Sequence, residues 1–182
     1  MTILNNLSSL ILRELIDRRS ATDFGNIFQS LVETAIRLER PALAAQGNAG
    51  NPDFIWKDSL SGDTWGYEVK SSSSQSGVPI SVASRSALAQ LNRKRLIYLD
   101  TSGHPVRLYV CNLDSFLRDN VMQLGPVNMH PRNLQNHRME DEETGLKSCI
   151  ERVIQTMNTT LFDDLPQNQI PTEIKVRLSK VF

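Results

Sequence analysis

Apolar residues recur at helical spacing from the start of the chain. Leu4, Leu7, Ile11 and Leu15 form one stripe, which predicts a helix over residues 3–18. Phe24, Phe28, Leu31, Ala35 and Leu38 form a second stripe. It predicts a helix from Asp23, read as its N-cap, to about Glu39, with Pro41 just beyond. The small-residue stretch AAQGNAGN predicts a loop. The period then changes from helical to alternating. PDFIWK and TWGYEVKS read as two strands around the turn sequence DSLSGD, so residues 52–71 predict a β-hairpin with Gly62 and Asp63 near its tip. The polar SSSSQSG that follows is too short for a linker domain.

Residues 82–92 predict a short helix. RLIYLD and VRLYVCN predict two strands around TSGHP, and residues 113–124 predict a helix. Residues 125–145 have no clear period and read as an irregular excursion. A helix over 146–161 follows, with Leu146, Cys149, Ile150, Val153, Ile154 and Met157 on its inner side. Ile174, Val176 and Leu178 alternate with Lys175, Arg177 and Ser179, the pattern of a half-buried strand with a basic outer face. The resulting order is that of an α/β fold, a central mixed β-sheet flanked by helices, with residues 1–182 forming one domain.

Composition narrows the class. The 182 residues are 40% hydrophobic and 22% charged, which suits a globular domain able to bury its own core. No apolar run approaches the roughly 20 residues that span a bilayer, so no membrane association is expected. The two cysteines, Cys111 and Cys149, form no CxxC pair; a zinc ribbon is excluded and a reducing cytoplasm is the expected location. Twenty basic and twenty acidic residues give a formal charge of zero, which argues against a purely electrostatic DNA binder but not against a local basic face. Charge is segregated along the chain. Residues 51–80 hold four acidic and two basic groups, and residues 81–110 hold five basic groups and one acidic. That order suits a metal site beside a polyanion; it also suits ordinary solvated surface.

The candidate chemistry lies in TWGYEVKS. Trp65, Tyr67 and Val69 point one way, and Glu68 and Lys70 the other. Asp53 begins the partner strand, so simple hairpin register brings Asp53 and Glu68 toward one end of it. Two carboxylates and a lysine are costly within a sheet unless something uses them. A hard divalent cation such as Mg²⁺ takes oxygen ligands and keeps several waters. Lys70 then holds or deprotonates a water and offsets phosphate charge. The plain alternative is a surface hairpin with a Glu–Lys pair.

Pro52-Asp53 followed by Glu68-Val69-Lys70 resembles the signature of the PD-(D/E)XK nuclease superfamily, the restriction-endonuclease-like fold, over residues ~23–112. On that resemblance the N-terminal helix and the C-terminal helix and strand are elaborations for recognition or dimerisation. The resemblance implies that Asp53 and Glu68 bind one or two Mg²⁺ ions, with Mn²⁺ able to substitute. It implies the Val69 carbonyl as a further ligand and Lys70 as the group that positions the nucleophilic water. Many members add a glutamate from the preceding helix, for which Glu33 is the candidate; Gln29 and Glu39 lie nearby in sequence. Ser71 and Ser72 are candidates for a phosphate oxygen, and Gln90 loosely matches a glutamine of some branches.

Arg85, Arg93, Lys94 and Arg95 are candidates for the DNA backbone. Arg132, Asn133, Gln135, Asn136 and Arg138, in the excursion, are candidates for base edges, because Arg suits guanine and Asn or Gln suits adenine. A surface loop explains the same residues. His130 and His137 lack the partners of a His-Asn-His nuclease or zinc site. Trp56 and Trp65 read as core. The expected activity is a Mg²⁺-dependent endonuclease on double-stranded DNA, in the style of a type II restriction enzyme acting as a homodimer. A structure-specific nuclease, an inactive DNA-binding subunit and a generic interaction domain are the alternatives.

Overall fold

The computed structural model describes residues 2–40, 43–45, 52–72, 78–103, 105–120 and 126–163. Strand β1 (Thr2–Ile3) leads into helix α1 (Asn6–Arg18), capped by Asn5, whose side chain accepts from the Ser8 N–H. The first helix thus starts later than its leucine stripe predicts. Leu4 lies before it, and within it Leu12 is the apolar residue that is fully buried, while Ile11 and Leu15 are partly buried beside the core. Helix α2 (Ala21–Arg37) is capped by Ser20, whose hydroxyl accepts from the Asp23 N–H. Asp23 therefore sits in the first turn, where its charge favours the helix N-terminus, and is not the cap.

Strand β2 (Ala44–Ala45) is followed by β3 (Phe54–Lys57) and β4 (Thr64–Ser72), which form the expected hairpin. Phe54 pairs with Tyr67 and Trp56 with Trp65, and Gly62 takes φ +77° at the turn. Next come β5 (Val78–Ile80), α3 (Val82–Leu88), β6 (Arg93–Asp100), β7 (Arg107–Asn112) and α4 (Leu113–Asp119). The stretch expected to be irregular holds β8 (Val127–Met129), α5 (Pro131–Leu134), a 3₁₀ turn and the start of α6 (Glu140–Asp163). Elements of three or four residues are too short to show a period, and the acidic first turn of α6 carries no apolar stripe. Most of SSSSQSG, the tip of the early loop, residues 121–125, the Met157 side chain and the alternating segment of Ile174, Val176 and Leu178 lie outside the described residues.

The main sheet runs β1-β7-β6-β4-β3-β2. Only β4 and β6 pair in parallel, through the crossover that carries α3; the other described neighbours are antiparallel. The fold is therefore α/β with a mixed sheet flanked by helices. Strand β6 is buried on both faces, as its continuous apolar run requires. Phe24, Phe28, Val32 and Ala35 of α2 and Ile150 and Ile154 of α6 pack with Tyr67, Val69, Ile97 and Leu99 on one face. Leu96 and Tyr98 pack on the other face with Leu88, Phe116, Val127 and Met129. Gly66 belongs to this second face. A Cβ there would collide with a Leu91 methyl, so glycine allows the end of the α3 crossover to close over β4.

Candidate active site

The site forms where β3 ends and β4 continues. Past Phe54 the backbone of β4 has no β3 partner, and a buried N–H there needs an acceptor. Asp53 supplies it: its Oδ2 accepts the Val69 N–H at 2.7 Å. This bond fixes the first carboxylate against the strand that carries the second. Glu68 lies one residue earlier on β4, its side chain on the face opposite Tyr67 and Val69, and it is only 3% exposed.

Lys70 follows Glu68 on the same face, and its Nζ lies at the centre of the cluster. It is 2.6 Å from Glu68 Oε1, 3.2 Å from the Val69 carbonyl oxygen and 3.8 Å from Asp53 Oδ2. The other Glu68 oxygen, Oε2, is buried and has no hydrogen-bond partner among the described residues. Burial raises the Glu68 carboxyl above its usual range; Lys70 opposes the shift and Asp53 adds to it. Three hard oxygens thus lie near Lys70 Nζ, and a fourth, the other oxygen of the buried Glu68 carboxylate, has no partner among the described residues. That donor set fits Mg²⁺ or Mn²⁺, which bind through one or two carboxylates and keep several waters. Among the described residues no group of three His, Cys, Asp or Glu side chains forms a metal-binding cluster, so solvent or phosphate oxygens would complete the coordination.

A scan against protein-family models and a search of curated proteins both return no match.

The remaining candidates divide. Glu33 forms an i,i+4 pair with Arg37, at 2.8 Å, on the helix that packs against the Tyr67 and Val69 face. The structure does not bring it into the Asp53–Glu68–Lys70 group. Ser72 shares the face of Glu68 and Lys70 but is buried, next to the Tyr98 phenol; its carbonyl accepts from Thr101. Ser71 points to the α2 face. Arg85 is half-buried on α3, and Gln90 is exposed just past that helix.

Lys94 and Arg138 are tied up by acids of the protein. Lys94 is buried and pairs with Asp114. Arg138 pairs with Glu143 at 2.9 Å and with Glu140 at 3.0 Å, and Glu143 is fully buried beneath it. Arg138 thereby pins the 130–138 stretch to α6 and is not presented for base contact. Arg132 and Asn133 remain exposed on α5, and Arg93 is exposed beside Asp63. His130 caps α5 through the Arg132 N–H. His137 lies against Ser115 and Phe116, a structural setting for both histidines.

The aromatic pair on the hairpin does more than fill core. The Arg40 guanidinium lies 4.8 Å from the Trp56 ring centre and 5.2 Å from that of Trp65, and it bonds the Tyr67 hydroxyl. Arg95 also lies over Trp65, 4.9 Å from its ring centre, and forms a bidentate pair with Glu142. Arg95 is therefore structural too. The sequence signal for this cluster is the Trp56–Trp65 cross-strand register, but nothing in the sequence points to Arg40. A cavity of about 310 Å³ adjoins the cluster on the α2–α6 face, away from Glu68 and Lys70.

Proposed function

We propose that this chain is a metal-dependent endonuclease that hydrolyses DNA phosphodiester bonds. The observation that carries the reading is the convergence of the Asp53 and Glu68 carboxylates, the Val69 carbonyl and the Lys70 ammonium at one end of the hairpin. Asp53, Glu68 and the Val69 carbonyl would hold Mg²⁺ or Mn²⁺. When bound, such a cation supplies Lewis-acid stabilisation of charge on the phosphate.

The chain's own residues account for the rest. The Asp53–Val69 bond holds the carboxylates in place before substrate arrives, which avoids reorganisation during reaction. Lys70 is a quarter exposed, so its ammonium reaches both the site and solvent. It orients the attacking water and offsets phosphate charge. The water oxygen bonds to phosphorus as the bond to the leaving oxygen breaks. The proton lost by the water is balanced by the one the leaving oxygen gains.

Arg132 and Asn133 are exposed groups available to DNA, and Arg93 is exposed but paired with Asp63. A type II restriction-like enzyme working as a homodimer on duplex DNA is the favoured form, since paired sites cut both strands of a palindrome. A structure-specific nuclease is the second reading, favoured by the internal pairing of Lys94 and Arg138, which leaves fewer side chains for base readout. Among the described residues no helix is long and apolar enough to cross a membrane.

Digestion of a large unmethylated phage DNA with Mg²⁺, beside the Glu68→Ala variant, tests the reading. Discrete bands that vanish in the variant support a restriction-like endonuclease. A smear that vanishes supports a nuclease without sequence choice. Branched DNA cut in preference to duplex supports the second reading. No variant-sensitive cleavage of any of these substrates overturns the proposal.

A further inference from the structure

Lys70 Nζ does not stand beside the proposed cation ligands but at their shared point. Among the described residues its oxygen partners include Glu68 Oε1, the Val69 carbonyl oxygen and Asp53 Oδ2, the same oxygens proposed to hold the divalent ion. Two cations cannot occupy one point between these oxygens. The lysine has a flexible four-carbon stem and is a quarter exposed, so its head has a path outward. Glu68, by contrast, is buried and Asp53 is tethered to the Val69 N–H, so the carboxylates have little freedom to follow.

We infer that Lys70 is a displaceable internal counter-cation. Its ammonium keeps the two carboxylates assembled, and a divalent cation takes its place by pushing it toward solvent, where it meets the phosphate. The inference rests on the metal-binding reading above and adds an order to it: the ion competes with the protein's own lysine. It follows that Lys70 lowers metal affinity while it raises the stability of the metal-stripped protein.

Titration calorimetry with Mn²⁺ on the full chain, stripped with chelator and then dialysed, tests this with Lys70→Met against wild type. The variant is expected to bind Mn²⁺ at least about tenfold more tightly, because a positive charge at the site has been removed. Thermal melts are expected to show the stripped variant less stable than wild type and more strongly stabilised by millimolar Mn²⁺. Equal or weaker Mn²⁺ binding by Lys70→Met, with clear binding by wild type, overturns the displaced lysine and leaves the nuclease reading standing. No binding by either protein overturns both. If stripped Lys70→Met does not fold, circular dichroism during Mn²⁺ addition decides: refolding supports the inference, and a chain that stays unfolded overturns it.

Discussion

Asp53 reaches past the end of its own strand to accept the Val69 backbone N–H of the neighbouring strand, at 2.7 Å. The bond satisfies a main-chain donor that the sheet leaves open, and it sets a carboxylate beside Glu68. One residue thus serves both the fold and the site. The two roles separate on substitution. Asp53→Asn keeps an acceptor for Val69 and is expected to melt close to wild type while losing Mn²⁺ binding and cleavage. Asp53→Ala also loses the hydrogen bond, at a cost of about 1 kcal/mol in stability. Paired melts and Mn²⁺ titrations of the two variants check this; an active Asp53→Asn would remove Asp53 from the site.

Glu68 contributes a pH dependence of its own. Burial lifts its folded pKa above the ordinary carboxylate value despite Lys70. Its contribution to stability is then full below the unfolded pKa and is lost as pH rises through the folded pKa. In chelator, wild type is expected to lose stability relative to Glu68→Gln as pH rises above the ordinary carboxylate range. Parallel melting curves for the two proteins across that rise would contradict the assignment. In Mg²⁺ the same variant is expected to lose at least about 10²-fold in cleavage rate.

Arg138 and Arg132 are expected to behave oppositely. Arg138→Ala removes the guanidinium that pairs with buried Glu143, which keeps the Val110 N–H, and should cost about 3 kcal/mol in denaturant unfolding. Arg132→Ala changes an exposed position and should leave stability unchanged. In DNA binding it should lower the slope of log affinity against log salt by about 1, if Arg132 meets a phosphate. A stable Arg138→Ala with impaired DNA binding would return that arginine to the interface.

The thiols are expected to be inert in the folded chain. Burial pushes Cys111 up to about 12, and burial and Glu39 raise Cys149. Alkylation by iodoacetamide near neutral pH, followed by mass spectrometry, should be slow on the native protein at both positions and fast in denaturant. Rapid native labelling of Cys111 would mean that the second core face opens readily.

Local pattern was enough to determine the α/β class, the 52–71 hairpin, the helices α2 and α6 in their apolar parts, and the apolar character of β6. Each depends on spacing along one segment: a period of 2 puts Tyr67 and Val69 on one face and Glu68 and Lys70 on the other whatever surrounds them. Even the convergence of Asp53 with Glu68 follows from hairpin register. Tertiary structure alone decided which charges are free. Lys94, Arg95 and Arg138 read as surface cations, yet Asp114, Glu142 and Glu143 arrive from positions 20, 47 and 5 residues away to pair them. Glu33 is different: its partner Arg37 lies four residues on along the same helix, a pairing that spacing within one segment allows. The position of Lys70 Nζ among three oxygens was again decided by tertiary structure. A side chain's partner depends on which distant elements close over it, and periodicity within one segment carries no record of that.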